Sequence, residues 1–94
     1  MSNYIITQYS YDKAKQLNLI ITQSKNKRKK IDVYTINNEF IHSIGDIRYN
    51  DYPTYVSTYN KEYANERKRL YHIRHQKNIN IVNSKQYLSA NLLW

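Results

Sequence analysis

Histidine and aspartate are the side chains of this 94-residue sequence best suited to metal binding or acid–base chemistry. His72 and His75 are three residues apart within a predicted helix, so both imidazoles can lie on one side of it. Zinc needs a third ligand and usually a fourth, and the chain offers only His42 elsewhere, with no cysteine and no HExxH pattern. We therefore expect hydrogen-bonding histidines and no bound metal.

Nothing in the sequence has the spacing of a catalytic motif. Asp46 and Asp51 lie five residues apart, but no lysine accompanies them in the way typical of a nuclease. The single glycine excludes a glycine-rich phosphate loop and a nucleophile elbow. We expect no enzymatic activity, no cofactor and no small-molecule substrate.

A basic run, "KNKRKK", is the strongest charge feature of a chain whose net charge is +8. Two interpretations remain open: a solvated turn, or a surface that contacts a polyanion or an acidic protein. The excess of basic over acidic residues favours an acidic partner. The basic residues of the run are Lys25, Lys27, Arg28, Lys29 and Lys30.

Eleven tyrosines are the most unusual compositional feature. Aromatic rings among basic residues can stack on bases, but the tyrosine-rich segment Tyr49–Tyr63 is poor in basic residues. Tyrosine also suits half-buried surfaces between subunits, and we favour that interpretation, with Tyr49 and Tyr52 as interface candidates. The mean hydropathy of −0.87 and the lack of cysteine indicate a small core that depends on association.

The first half of the chain predicts a helix followed by strands. We expect a helix over Tyr11–Leu17 capped by Ser10, a strand at 18–22, and a solvated turn at 24–30. Alternating residues predict a β-hairpin whose strands are Lys30–Ile36 and Glu39–Ile44, joined by a two-residue turn at 37–38. Phe40, His42 and Ile44 should share one face, and Gly45 should have a positive φ.

The second half predicts a loop and two helices. Pro53 indicates a tyrosine-rich loop, and a helix should then run from about residue 59 to 76. Residues 78–83 should be extended, and 84–94 should form a short helix capped by Ser84 whose Leu-Leu-Trp end docks into an apolar pocket. We expect one small α+β domain: an antiparallel β-hairpin or three-stranded sheet packed by one long helix, with a short C-terminal helix.

The stretch "ERKRLYHIRH", Glu66–His75, permits two interpretations. A DNA-recognition helix needs a partner helix before it, whereas a proline-interrupted segment precedes this one. We therefore predict a packing helix with Tyr63, Leu70 and Ile73 facing the hairpin. The residues expected to contact the rest of the fold or a neighbouring subunit are Arg67, Tyr71, Arg74 and His75.

Positions 28–94 resemble a small, basic, uncharacterised protein family of large DNA viruses and tailed phages. That family has a Lys-rich strand, an "IHFG" turn, a "Y.DYT" segment, a helix with "R...Y..RH" and a closing "LLW". The counterparts here are "KKIDVYTI", then "IHSIG" at Ile41–Gly45, "YNDYPTY" at Tyr49–Tyr55, "RLYHIRH" at Arg69–His75, and Leu92, Leu93 and Trp94. Residues 1–27 would be an N-terminal segment added to this family-like core.

The resemblance implies a virus-encoded protein. The expectation that follows is an auxiliary or minor capsid protein that cements or fills gaps in the shell of a virion. Its partners would be the major capsid protein or other virion proteins, with contact to packaged DNA and none to a membrane, after synthesis in the host cytoplasm. The alternative is a small virus-encoded nucleic-acid-binding protein, and a host-takeover factor is a third class.

Overall fold

The computed structural model describes every residue from Met1 to Trp94, and the chain forms two compact units, Met1–Tyr49 and Asn50–Trp94. Unit 1 contains α1 (Gln8–Gln16), β1 (Leu19–Gln23), β2 (Lys29–Thr35) and β3 (Phe40–Asp46). Unit 2 contains α2 (Tyr52–Thr58), α3 (Lys61–Arg74) and α4 (Lys85–Leu92). The predicted α+β class, with a three-stranded antiparallel sheet, a long helix and a short C-terminal helix, is confirmed.

The expected boundary between the N-terminal segment 1–27 and the family-like core 28–94 lies in the turn between β1 and β2, inside unit 1. None of the four helices combines the length and the apolar character needed to cross a membrane.

Helix α1 begins three residues earlier than predicted. The Thr7 side chain, and not that of Ser10, caps the helix by accepting a hydrogen bond from the Ser10 backbone N–H. Ser10 is fully buried in the first turn. Threonine and serine are both good N-caps, so the choice between them depends on which one the tertiary structure buries.

The sheet of unit 1 has the order β1-β2-β3, and one of its faces supplies most of this unit's buried apolar side chains. Ile21 pairs with Val33 across β1 and β2, and Ile31 pairs with Ile44 across β2 and β3. All four are nearly inaccessible to solvent. The alternating residues Ile31 and Val33 of β2 therefore lie on this buried face.

The connection between β2 and β3 is longer than the predicted two-residue turn. Thr35 N donates to Glu39 O, and Asn38 N donates to Thr35 O, while Asn38 takes a φ of 65°. A register shift follows, because Tyr34 pairs with Phe40 whereas Val33 pairs with His42. Ile41 is the extra residue, which places Phe40 on the face opposite His42 and Ile44 and contradicts that part of the hairpin prediction.

Gly45 has a φ of 78°, as predicted, although β3 continues through it to Asp46. A positive φ at this point favours glycine because a Cβ atom would clash with the backbone.

The segment expected to be a tyrosine-rich loop contains helix α2. Asp51 caps the helix by accepting hydrogen bonds from the backbone N–H and the hydroxyl of Thr54. Pro53 lies in the first turn, where a backbone N–H has no intrahelical acceptor and its loss is harmless. The loop prediction was wrong because it treated proline as a helix breaker without regard to position.

Helix α3 is capped by Asn60 and ends at Arg74, as predicted within two residues. Its one fully buried residue is Ala64, whereas Ile73 is 52% exposed, so the prediction that Ile73 lies on a buried face is wrong. Residues 78–83 form turns and not an extended segment, and Asn83 has a φ of 64°. The Ser84 cap of α4 is confirmed.

Candidate interaction surfaces

The basic turn, defined here as residues 24–29, is organised by the buried carboxylate of Asp32 on β2. Ser24 Oγ and Ser43 Oγ donate to Asp32 Oδ1 at 2.6 Å and 2.5 Å, and the Lys25 backbone N–H donates to Oδ2 at 3.1 Å. Ser24 Oγ in turn accepts from Asn26 N, and Asn26 Oδ1 accepts from Arg28 N. These linked hydrogen bonds fix the path of the backbone between β1 and β2.

The electrostatics of Asp32 follow from the same contacts. Burial raises the pKa of the carboxyl, but the hydrogen bonds from Ser24, Ser43 and the Lys25 backbone, helped by the Lys25 charge, lower it by more. The pKa therefore lies below its ordinary value, and Asp32 is ionised at neutral pH. An ionised buried carboxylate beneath a run of cations keeps the turn closed against β2.

The five basic residues that were predicted to form one surface differ in their exposure to solvent. Lys25, Lys27 and Arg28 are exposed, and Lys29 is half-buried. Lys30 is only 4% exposed, and its ammonium lies over the Tyr4 ring, 5.0 Å from the centroid. Lys30 is therefore a packing residue of unit 1, because its position on β2 turns it away from solvent.

A second turn, residues 46–49, lies beside the basic turn. Ile47 N donates to Arg28 O, and Lys29 pairs with Asp46 across the sheet. The Arg48 guanidinium forms a two-pronged pair with Asp46 and holds the pKa of that carboxyl at about 2. Arg48 also lies 5.5 Å from the ring centroid of Tyr49, which is 66% exposed. The two turns together form one cationic end of the sheet.

An open pocket adjoins this end of unit 1. Lys27 contributes its cationic side chain to the wall. The pocket is lined by Met1, Asn3, Tyr4, Lys27 and Ile47. It combines an aromatic ring, an aliphatic side chain and a cation.

The opposite end of the sheet carries an apolar row, defined here as Ile20, Tyr34 and Phe40. The three residues are directly opposite one another on β1, β2 and β3, so their side chains share one face. Tyr34 and Phe40 meet edge to face, with 5.6 Å between ring centroids. Phe40 is 57% exposed, and Ile20 and the neighbouring Ile36 are also exposed.

Unit 2 contains a ladder of planar side chains spaced four residues apart along α2 and α3. Tyr59 and Tyr63 have ring centroids 4.6 Å apart, and Tyr55 contacts both rings. The members of the ladder are Tyr55, Tyr59, Tyr63, Arg67, Tyr71 and His75. The sequence prediction did not group these residues, because it placed Tyr63 on one face with Leu70 and Ile73 and treated the others as separate contacts. The repeated spacing of four was available as a signal.

The closing Leu-Leu-Trp segment packs within the chain, which confirms that prediction. Leu92 and Leu93 are buried, and Leu93 O accepts a hydrogen bond from Tyr52 N. The Trp94 indole stacks on Tyr71 and also contacts the Tyr55 ring, with 6.0 Å between centroids. Since Leu92 and Leu93 are in the interior, neither offers a side chain to an outside partner.

Two buried nitrogens near the ladder have no hydrogen-bond partner: Nε of Arg67 and Nε2 of His72. Burial lowers the pKa of His72, and the nearby Lys68 charge lowers it further. The Arg67 guanidinium lies over Tyr55, 5.6 Å from the ring centroid. Burial likewise raises the pKa of the Tyr71 hydroxyl, which a hydrogen bond with Ser89 partly opposes.

The remaining predicted interface residues occupy different environments. Tyr52 donates its hydroxyl to Asn65 Oδ1 at 2.8 Å and lies beneath the Lys68 ammonium. His75 stacks on Tyr71, with 4.4 Å between centroids. Arg74 is exposed and makes no polar contact within the chain, so the expected contact with the rest of the fold is not present.

The structure brings no three potential metal ligands together among histidines and carboxylates. Comparison of the chain with protein-family models, with curated proteins and with solved structures finds no match. The surfaces described above are therefore the basis for assigning a function.

Proposed function

We propose that this protein is a virion structural protein, an auxiliary or minor capsid component that cements or fills gaps in a phage capsid shell. The resemblance of residues 28–94 to a viral protein family supports the viral source. The observation that supports assembly is the exposed apolar row on the sheet of unit 1. The partners would be the major capsid protein or other virion proteins.

The apolar row has the properties of a subunit contact. Single exposed apolar residues are common on soluble proteins, but Ile20, Tyr34 and Phe40 are adjacent across three strands. Aromatic residues are enriched at the centres of protein interfaces, where they contribute large contact areas with few rotatable bonds. A sheet face that carries this apolar row suits contact with another subunit of a shell.

Peptide mass spectrometry of purified particles is the direct test of location. We expect peptides of this protein in particles banded on a density gradient, at a constant ratio to the major capsid protein. If the protein is present in infected cells and absent from purified particles, the proposed function is wrong.

Substitution of the row tests the surface. Phe40→Asp places a charge in the row without removing a buried side chain, and we expect incorporation to fall by at least about tenfold, as for a central interface residue. Ile5→Asp is the matched control, because Ile5 is also exposed and lies outside the row. Equal incorporation of the two variants would show that the row is not the contact.

A further inference from the structure

The cationic end of unit 1, defined here as Lys25, Lys27, Arg28, Arg48 and Tyr49, is a surface distinct from the apolar row. We propose that it binds the phosphodiester backbone of nucleic acid. This site is independent of the proposed capsid contact, since it uses other residues at the other end of the sheet. Four observations support it.

The first observation is that the turn is preorganised. The Asp32 hydrogen bonds and the Asn26 side chain hold the backbone from Ser24 to Arg28 in one conformation. Cations on a fixed turn lose less conformational entropy on binding than cations on a flexible tail.

The second observation is that Lys27 and Arg28, unlike Arg48, have no acidic partner at the surface. Lys27 and Arg28 are exposed and make no side-chain hydrogen bond or ion pair. The two nearby carboxylates do not neutralise these cations, because Asp32 is buried and Asp46 is paired with Arg48. The unneutralised charge therefore faces solvent. Lysine and arginine there would neutralise phosphate groups and displace the counterions condensed on the nucleic acid.

The third observation is an aromatic ring beside those charges. Tyr49 is largely exposed, with the Arg48 guanidinium over the ring, and Tyr4 lines the adjoining pocket together with Lys27. Cationic grooves with exposed aromatic rings bind single strands by combining phosphate contacts with base stacking.

The fourth observation is the separation of the two surfaces. The basic turn precedes β2 and the apolar row lies near its end, and a seven-residue strand spans roughly 20 Å. Unit 1 can therefore contact protein at one end and nucleic acid at the other. In a capsid this arrangement would allow the same molecule to touch the shell and the packaged DNA.

The test is fluorescence anisotropy of the full chain with a labelled 20-nucleotide single strand and a labelled 20-base-pair duplex over a range of salt concentrations. We expect the Lys27→Glu/Arg28→Glu double variant to weaken binding by more than about tenfold at low salt. The slope of log affinity against log salt should become shallower by about 0.9 per lost phosphate contact on the duplex. Lys15→Glu/Lys85→Glu is the matched control, with the same charge change at exposed sites outside this end.

Several outcomes would overturn the proposal. Absence of binding at low salt, or an equal loss in the control variant, would show that no localised site exists. Displacement by poly-glutamate at the same charge concentration as unlabelled DNA would indicate an acidic protein ligand instead. Tyr49→Ala should reduce the affinity for the single strand more than the affinity for the duplex. An equal reduction for both would refute the stacking role of Tyr49. Circular dichroism checks that each variant is folded. If the Lys27→Glu/Arg28→Glu variant does not fold, Lys27→Gln/Arg28→Gln takes its place.

Discussion

The indole ring of Trp94 lies nearly parallel to the phenol ring of Tyr71, with 4.6 Å between ring centroids and 14° between planes. This contact joins the second residue after α4 to the last turn of α3. Trp94 also contacts Tyr55 on α2, so one side chain connects the three helices of unit 2. Stacked aromatic pairs contribute about 0.5–1.5 kcal/mol beyond the burial of their area.

Trp94→Ala should therefore reduce the free energy of unfolding by about 3 kcal/mol, the lower end of the range for aromatic truncation, because Trp94 is half-buried. Trp94→Phe keeps a ring against Tyr71 and should lose markedly less. Urea denaturation followed by far-ultraviolet circular dichroism measures both values. Deletion of 92–94 should be more destabilising than either variant, and equal stability of all forms would contradict the role of this contact.

Acid should destabilise unit 1 through Asp32. Because its folded pKa lies below the ordinary value of 3.8, ionisation stabilises the fold above that value, and the contribution is lost as the pH falls through the folded pKa. Asp32→Asn should flatten the dependence of unfolding free energy on pH below 4. Asp46→Asn is the control, since its pair with Arg48 is exposed and screened by salt, so its effect should fade in 0.5 M salt while that of Asp32 persists.

Arg67 should matter for its shape more than for its charge. Its Nε is buried without a hydrogen-bond partner, so Arg67→Met, which keeps the length and removes the unpaired group, should change stability by less than about 1 kcal/mol. Arg67→Ala should lose about 2 kcal/mol, because the packing over Tyr55 disappears. Arg74→Ala, an exposed control, should stay within about 0.5 kcal/mol. A larger loss of unfolding free energy in Arg67→Met than in Arg67→Ala would refute this explanation.

Asn38 should tolerate glycine and reject β-branched residues. Its φ of 65° places it in the left-handed region, where a residue with a branched Cβ is disfavoured by about 1–2 kcal/mol. Asn38→Val should therefore lower the thermal midpoint, and Asn38→Gly should leave it unchanged or raise it. Asn37→Val, in the same connection without a positive φ, is the comparison, and an equal effect at both positions would exclude a backbone origin.

Local signals in the sequence were sufficient for most elements. The alternation of Ile31 and Val33 with polar residues marked a strand, and Ser84 marked the start of α4. These features depend on side chains bonding to, or lying beside, their own near neighbours, so they can be read from sequence. The run of basic residues and the Leu-Leu-Trp end were also visible there.

Tertiary structure decided the features that depend on register and on burial. The bulge at Ile41 moved Phe40 to the other face of the sheet and so created the apolar row, which no single strand encodes. Burial separated Lys30 from the exposed Lys27, although the two have the same chemistry and are three residues apart. The sequence determined which residues are present and how each segment folds locally. Long-range pairing determined which of them face solvent, because exposure is a property of the surroundings and not of the side chain.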